Sequence, residues 1–313
     1  MGRARVVRAR VVAVRCVVVG SGTLWWMGRI EPLVISAPFG NYVQPRWRAR
    51  VGEGQFGGGG IARGEFGATP TLGTFTNERR PGRVWRIVRT VRYSPFLNAW
   101  VNKIGLRNPG IDWLAGRVKD GRARVDHALV SVHGFNDAEW DRLTGVASGL
   151  GALGVELNMS CPNVGHVNWP EWLFERAVSR CSSAGCVLVV KLPPVNFEVM
   201  VERALGAGVR ALHCCNTIPV PAGGVSGKPL KPVAIQCIGR VREVAARGGH
   251  AGLTIIGGGG VTTPGDIDDY ANAGATRAAI GTKCFNPRVL LGDAVLRPLI
   301  QRAAERFAAF TVS

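Results

Sequence analysis

The stretch that decides the fold is Gly154 to Asn163, which reads G-V-E-L-N-M-S-C-P-N. Its first half is a short apolar run of the kind that forms a buried strand, and its second half is polar and reactive until Pro162 interrupts it. In an α/β barrel, the C-terminal ends of the strands carry the active site. A buried strand that ends in reactive side chains therefore favours a barrel.

Seven further stretches repeat this strand pattern, and helical patterns lie between them. The predicted strands are Leu33–Ala37, Phe66–Leu72, His127–His133, Gly154–Met159, Cys186–Lys191, Val209–Cys214, Leu253–Ile256 and Arg277–Ile280. Eight strands in a β-then-α order predict a closed (β/α)8 TIM barrel, and a doubly wound open sheet is the less favoured alternative. We expect one barrel domain over residues 26–313, after an N-terminal extension over residues 1–25 to which no function is assigned.

Proline, asparagine and glycine mark the ends of the predicted helices. Helices are expected to open at Pro170, after an Asn196 cap, at Pro232 and at Thr263-Pro264. They are expected to stop at Gly206, Gly248 and Gly274. These signals place one helix after each of strands four to seven, as a barrel requires.

The chain is strongly basic, and its charge is uneven. The formal net charge is +18, and residues 1–124 hold 22 basic against 6 acidic side chains. Such a region suits nucleic acid, anionic lipid or an acidic partner. Because there are 33 Arg against only 6 Lys, biased genome composition is the favoured explanation, and nucleic acid is not expected as a partner. Arg83, Arg86, Arg89 and Arg92 recur every third residue, so on a helix they would form a basic stripe, either solvated or binding.

Cysteine spacing and hydropathy narrow the class of protein. The eight cysteines include no C-x-x-C pair, so we expect no metal site, no iron–sulfur cluster and no disulfide framework. Free thiols favour a reducing, cytoplasmic setting. No apolar run is long enough to span a membrane, so no spanning helix is expected.

Polar side chains follow the middle strands. The ends of strands four to six carry Asn158, Ser160, Cys161, Asn163, Lys191, Asn216 and Thr217. A lysine at the end of an apolar strand needs an anionic or electron-rich partner, such as a flavin. A cysteine thiol has a pKa closer to neutrality than a serine hydroxyl, so Cys161 is a candidate general base.

Bare glycine backbone follows the last two strands. Strand seven runs into Gly257–Gly260, and strand eight runs into Gly281-Thr282. Together with the start of a helix near Thr263, free backbone N–H groups at this place predict a phosphate site. A phosphate held there would extend a planar cofactor across the barrel mouth, towards Lys191 and Cys161.

At these residues the chain resembles the dihydroorotate dehydrogenases, in particular their soluble branch with a cysteine base. The matching motifs are S-A-P-F-G-N at 36–41, N-K-I-G-L-R-N-P-G at 102–110, L-N-M-S-C-P-N at 157–163, V-K-L-P-P at 190–194, C-N-T at 215–217, G-G-V-S-G-K-P-L-K-P at 223–232, I-G-G-G-G-V at 256–261, and A-G-A-T with I-G-T within 273–282. They occur in the same order as in the family and cover roughly residues 30–290.

The resemblance implies FMN across the barrel mouth and oxidation of dihydroorotate to orotate in pyrimidine biosynthesis. The FMN-binding residues that it implies are Lys191, Ser226, Gly227, Gly259, Gly260, Gly281 and Thr282. The substrate-binding residues that it implies are Asn102, Gly105, Leu106, Asn158, Asn163, Asn216 and Thr217. Cys161 would remove a proton from C5 of the substrate while hydride passes from C6 to flavin N5. A soluble acceptor or a partner subunit would then reoxidise the flavin, and a homodimer is expected.

One position departs from the family pattern. The family has a lysine at the end of strand two, in a T-K-x-x-T motif, whereas this chain reads G-A-T-P-T-L-G-T-F-T at 67–76, with Gly73 or Leu72 at the aligned position. Two alternatives therefore stay open. One is a related FMN barrel that acts on another dihydropyrimidine, including the uracil of tRNA, because the strand-four motif also resembles that of tRNA-dihydrouridine synthases. The other is a flavin-binding barrel without turnover.

Overall fold

The computed structural model describes residues 30–37, 67–81, 91–103, 105–159, 169–286, 288 and 293–310. The predicted N-terminal extension lies outside these ranges. Outside them too lie Ser160, Cys161, Asn163, Arg83, Arg86 and Arg89.

Eight parallel strands close into a barrel. In chain order the strands are β1 (Leu33–Ile35), β2 (Thr69–Phe75), β3 (Val91–Ser94), β4 (Ala99–Asn102), β5 (Leu129–Val132), β6 (Gly154–Asn158), β7 (Val187–Lys191), β8 (Ala211–Cys214), β9 (Ile218–Val220), β10 (Gly223–Gly227), β11 (Thr254–Gly258) and β12 (Arg277–Ile280). The barrel order is β1-β12-β11-β8-β7-β6-β5-β2, and β2 pairs with β1 to close it. The predicted (β/α)8 barrel is confirmed, and the open-sheet alternative is wrong.

Each predicted strand corresponds to a barrel strand, and the bounds agree at β12 but differ at the other seven. The difference is large at β2, which was predicted as Phe66–Leu72 and spans Thr69–Phe75. Its pairing with β5 shifts register between Leu72 and Phe75, so the strand continues past the apolar run that the prediction followed. The end of β2 therefore lies at Phe75 and Thr76.

A second sheet, antiparallel and in the order β3-β4-β10-β9, was not predicted. Strand β4 pairs with β10 so that Ala99 faces Gly227 and Asn102 faces Gly224. These strands are three to five residues long, too short to show an alternating pattern in the sequence. Arg92 lies in β3, so the basic helical stripe is not formed at this residue.

The helices of the described ranges are α1 (Ile111–Lys119), α2 (Asp137–Ser148), α3 (Leu173–Ala184), α4 (Glu198–Gly206), α5 (Leu230–Arg247), α6 (Pro264–Ala273) and α7 (Arg297–Phe307). In the same ranges, none of these helices has the length and apolar composition needed to cross a membrane.

Several predicted helix ends are confirmed and others are wrong. Thr263 caps α6, and Gly248 and Gly274 are the C-caps of α5 and α6. The predicted cap at Asn196 is wrong: its φ of 55° is left-handed, whereas an N-cap needs extended backbone, and α4 begins at Glu198. The predicted stop at Gly206 is confirmed, because Gly206 is the last residue of α4 and Ala207 is its C-cap.

Two predicted helix starts are displaced. Helix α3 begins at Leu173 rather than at Pro170, and α5 begins at Leu230 rather than at Pro232. Pro232 lies in the first turn of α5, where its missing N–H has no partner to lose, and Pro170 lies just before α3. A proline therefore marks the start only to within a turn.

The core has an inner and an outer layer. Alternate residues of a strand point to opposite faces, and Val34 belongs to one buried cluster while its neighbours Leu33 and Ile35 belong to another. The smaller cluster, which includes Val189 and Ile256, therefore fills the barrel, and the larger one lies between the strands and the helices. Each such side chain contributes about 1.5–3 kcal/mol on burial. The packed interior leaves the strand ends as the place for a site.

Candidate active site

The C-terminal ends of the barrel strands open into a cavity of about 210 Å³. Strands β6, β7, β11 and β12 contribute Asn158, Lys191, Gly258 and Ala279 to its wall. The second sheet contributes residues of β3, β4 and β10, including Trp100. The cavity is thus enclosed by the barrel on one side and by the second sheet on another.

Every predicted site residue in the described ranges lines this one cavity. They are Asn102, Gly105, Leu106, Asn158, Lys191, Asn216, Thr217, Ser226, Gly227, Gly259, Gly260, Gly281 and Thr282. Cys161 and Asn163 lie outside the described residues. The cavity also contains residues that the sequence analysis did not single out, among them Thr74, Arg107 and His213.

Two asparagines in the wall are joined by hydrogen bonds. Asn216 Nδ2 donates to Asn158 Oδ1 at 2.9 Å, and Asn158 Nδ2 donates to Thr74 Oγ1 at 2.9 Å. The Thr74 and Ser131 hydroxyls lie 3.0 Å apart, and the backbone N–H of Thr217 donates to Asn216 Oδ1 at 2.9 Å. These bonds fix the orientation of both amides, so the remaining N–H and C=O groups meet a ligand in set directions.

Lys191 and His213 line the floor of the cavity and form a buried charged cluster with Glu156, which does not itself line the cavity. Glu156, Lys191 and His213 expose 1%, 7% and 1% of their surface. His213 Nδ1 lies 2.8 Å from Glu156 Oε2. Glu156 and His213 were not predicted as site residues, although both are ionisable residues inside strands of otherwise apolar sequence, which is a signal that the sequence contains.

The charges of this floor can be assigned. Burial acts to raise the pKa of Glu156, but the charge of Lys191 and hydrogen bonds from His213 and Ser131 outweigh it and hold that pKa at about 2. Burial and the charge of Lys191 lower the pKa of His213, against the opposing effect of Glu156. Glu156 is therefore ionised and His213 neutral at pH 7. Because a carboxylate only accepts, the His213 proton lies on Nδ1 and Nε2 is left as an acceptor.

The glycine end of the cavity is shaped by close backbone contacts. A Cβ on Gly260 would lie 2.8 Å from the Gly227 carbonyl oxygen, and Gly260 has a φ of 68°. A Cβ on Gly281 would meet no atom within 4 Å. The backbone contacts and the positive φ therefore require glycine at position 260, whereas the space beside Gly281 is open to a ligand.

The start of α6 carries a carboxylate of its own beside the predicted phosphate site. Asp266 Oδ2 accepts the backbone N–H groups of Thr262 and Thr263 at 2.9 and 2.8 Å. Burial acts to raise the pKa of Asp266, but Lys231 and these N–H groups lower it overall, so the carboxylate is ionised. The helix terminus is therefore already occupied by a negative charge. The signal was present in the sequence, because Thr263 and Asp266 have capping-box spacing.

The end of β2 has no room for a side chain at Gly73. Its φ is 112°, and a Cβ would lie 2.5 Å from the Ser131 carbonyl oxygen and 2.8 Å from the Phe75 nitrogen. The other aligned position, Leu72, is fully buried in the outer core layer. The hydroxyl of Thr74 instead occupies this part of the wall, where it accepts from Asn158.

The loop after β4 carries Gly105, Leu106 and Arg107 along the cavity rim. Gly105 and Leu106 have φ of 77° and 53°. Buried Asn108 fixes this backbone: its Nδ2 donates to Leu106 O at 2.7 Å and to Thr76 Oγ1 at 2.8 Å. Its Oδ1 accepts from the nitrogens of Thr76 and Gly110 at 3.1 and 2.8 Å. The rim loop is thereby tied to the end of β2.

Comparison with known proteins identifies one family. The sequence model of the family described as dihydroorotate dehydrogenase matches residues 52–301. The catalytic subunit of dihydroorotate dehydrogenase B (NAD(+)) from Caldicellulosiruptor saccharolyticus is 29% identical over 257 residues, which cover 72% of this chain and 79% of the relative. Dihydroorotate dehydrogenase A (fumarate) from Limosilactobacillus reuteri (strain DSM 20016) is 32% identical over 215 residues, which cover 60% of this chain and 67% of the relative.

Solved structures agree on the fold. The crystal structure of DHODH from Eimeria tenella in complex with ferulenol superposes with a TM-score of 0.66 at 18% identity, over 89% of this chain and 82% of that chain. The ligand-free structure from the same organism gives a TM-score of 0.65 at 17% identity, over 88% and 83%. At such identities the likeness concerns the barrel itself.

Proposed function

The chain belongs to the dihydroorotate dehydrogenase family, and from this premise we propose that it oxidises dihydroorotate to orotate in pyrimidine biosynthesis, with FMN as its cofactor. One observation carries the proposal. All the described residues that the family resemblance selects line a single cavity at the strand ends, although they come from separate parts of the chain.

The cavity suits FMN in its shape and charge. The open space at Gly281 and the tight backbone contacts of Gly260 form a cradle of bare backbone, as a phosphate needs. The residues that hold the phosphate are Gly259, Gly260, Gly281 and Thr282. Lys191, Ser226 and Gly227 contact the ring system. When bound, FMN supplies the acceptor for a hydride.

The amide groups orient the substrate ring. Asn158 and Asn216 are fixed by their mutual hydrogen bond, so they present donors and acceptors that cost little to order when a ring with C=O and N–H groups binds. Asn102, Asn163, Thr217 and the backbone of Gly105 and Leu106 complete this set.

Cys161 is the general base of the proposed reaction. It follows Asn158, a residue of the cavity wall, by three positions in the sequence. Its thiolate removes the proton from C5 of dihydroorotate, which leaves C6 to release a hydride. A cysteine suits this role because its unperturbed pKa is about 8.5, within reach of neutral pH.

The acceptor that reoxidises the flavin is either a small oxidant or a partner subunit. The relatives named above differ in this respect, since one carries NAD(+) and the term catalytic subunit in its name and the other carries fumarate. A homodimer in the cytoplasm completes the proposal.

Anaerobic reduction of the bound flavin tests this function. The purified protein should contain FMN, and dihydroorotate should bleach its visible absorbance, whereas dihydrouracil, which lacks the carboxylate, should not. Cys161→Ala should retain FMN and bleach at least about 100-fold more slowly, the lower range for a lost general base. Flavin-loaded protein that stays coloured with dihydroorotate would refute the proposal. Adding fumarate or NAD(+) to the bleached protein then identifies the acceptor class.

A further inference from the structure

Arg107 is a cationic side chain of the rim loop, and the proposed function assigns it no role. It lines the cavity and its side chain is exposed. Among the residues that the structure describes, no carboxylate lies within ion-pair distance of its guanidinium, although eleven other Arg and Lys residues of the same ranges do form ion pairs. An unpaired guanidinium at the mouth of a binding cavity is available to a ligand.

The backbone that carries Arg107 is held on both sides. Asn108 makes the four hydrogen bonds described above, and its backbone exchanges hydrogen bonds of 2.9 and 3.1 Å with Arg80. Ile111 N donates to Thr76 O at 3.0 Å. The guanidinium therefore extends from a fixed point, so less conformational entropy is lost when it binds.

The charge balance of the cavity makes Arg107 distinctive. On the floor, the positive charge of Lys191 is opposed by the ionised carboxylate of Glu156, and His213 is neutral. The described lining residues include no aspartate or glutamate. Within the described ranges, two cations line the cavity, Lys191 and Arg107. A neighbouring carboxylate balances the charge of Lys191, and none balances that of Arg107.

The loop of Arg107 follows the end of β4 that is farther from the phosphate cradle. The ladder between β4 and β10 has Gly227 opposite Ala99 at one end, and the Gly227 carbonyl lies against Gly260 of the cradle. Asn102 stands at the other end, and Arg107 follows it by five residues. The arginine thus belongs to the loop that continues from Asn102, which the proposed function assigns to the substrate.

We propose that Arg107 determines substrate specificity by binding the carboxylate of dihydroorotate and orotate. This inference rests on the proposed function and deepens it. A planar guanidinium donates two parallel hydrogen bonds to a carboxylate, which a point charge such as lysine does not reproduce. The residue thereby selects carboxylated dihydropyrimidines over uncharged ones, while the amides of the wall form hydrogen bonds with the ring.

Titration of the FMN-loaded protein with orotate and with its uncharged methyl ester tests this role. Perturbation of the flavin spectrum gives the two dissociation constants for the wild type, Arg107→Gln, Arg107→Lys and the control Arg203→Gln, which removes an exposed arginine of α4. For Arg107→Gln we expect orotate affinity to fall by about 10- to 100-fold, the range for a hydrogen bond to a charged group. The orotate affinity of Arg107→Lys should lie between those of the wild type and Arg107→Gln, and that of Arg203→Gln should equal the wild-type value. Affinity for the ester and FMN content should not change.

Each other outcome overturns the inference in a distinct way. Equal orotate affinity in Arg107→Gln and the wild type excludes the contact but leaves the proposed function intact. Loss of FMN instead of orotate assigns the arginine to the phosphate. An equal loss in Arg203→Gln shows a general effect of net charge. A wild type that binds neither ligand and is not bleached by dihydroorotate overturns the proposed function together with the inference.

Discussion

The floor and the rim of the cavity are built in opposite ways. On the floor, charged side chains are fixed by one another, since Glu156 bonds to His213 and is held ionised by Lys191. At the rim, the backbone is fixed through Asn108, but the guanidinium of Arg107 has no partner among the described residues. Among the described residues, the charges of the floor have protein partners without a ligand, whereas the charge of Arg107 at the rim does not.

Because of this difference, the floor contributes mainly to the stability of the fold and the rim mainly to the selectivity of binding. Charges removed from water must be paired, because an unpaired buried charge costs several kcal/mol. The floor therefore contributes a permanent environment for the cofactor but cannot adapt to different substrates. An exposed arginine carries no such cost, so its contacts can be reserved for the ligand. Changes on the floor should alter folding, and changes at the rim should alter binding.

Glu156→Gln should have the largest effect of the changes considered. It leaves Lys191 buried without its opposing charge, and removal of one partner of a buried pair costs about 3–5 kcal/mol. Urea denaturation measures the free energy of unfolding. The control is Glu202→Gln on α4, whose carboxylate is 58% exposed and 3.8 Å from Arg247, and it should cost about 1 kcal/mol or less. Equal losses in the two variants would contradict the distinction between floor and surface.

The same carboxylate should make stability depend on pH. The pKa of Glu156 is held at about 2 in the folded protein, below its ordinary 4.5. A lowered pKa stabilises the fold above the ordinary value, and this stabilisation is lost as pH falls from about 4.5 towards 2. The unfolding free energy of the wild type should therefore fall more steeply over this range than that of Glu156→Gln. Parallel pH curves would show that the carboxylate is not held ionised by the fold.

Much of this site follows from local sequence, and the reason is physical. A strand end is marked by the change from apolar to polar residues, so Asn158, Lys191 and the glycines after β11 can be read without knowing their neighbours. The hydrogen-bond chain from Asn216 through Asn158 to Thr74 cannot be read in this way. Thr74 lies within the register shift between Leu72 and Phe75, which the sequence does not announce.

The errors have a common origin. The sequence predicted N–H groups free for an anion near the start of α6, but the side chain of Asp266 accepts those of Thr262 and Thr263. It passed over Arg107, because an arginine in a basic chain carries little information until its partners are known. Both cases turn on whether a polar group is already paired, which only the folded structure decides.

Asn108→Ala should lower the free energy of unfolding by an intermediate amount and should also lower the affinity for orotate. It leaves the N–H groups of Thr76 and Gly110 without their acceptor, and an unsatisfied buried group costs about 1–3 kcal/mol. It also frees the backbone of Leu106, so orotate affinity should fall with stability. The control is Asn272→Ala, which removes an exposed amide that accepts from Arg306 and should cost no more than about 0.5 kcal/mol. An unchanged orotate affinity in Asn108→Ala would show that the rim loop keeps its shape without this anchor.

Arg107→Gln should have the smallest effect on stability. Its side chain is exposed and makes no hydrogen bond or ion pair within the described ranges, so the free energy of unfolding without ligand should change by less than about 0.5 kcal/mol. A ligand that binds only the folded state adds stability in proportion to its affinity. Saturating orotate should therefore raise the melting temperature of the wild type more than that of Arg107→Gln. A variant that is already destabilised without orotate would show that the rim, like the floor, is part of the folded framework.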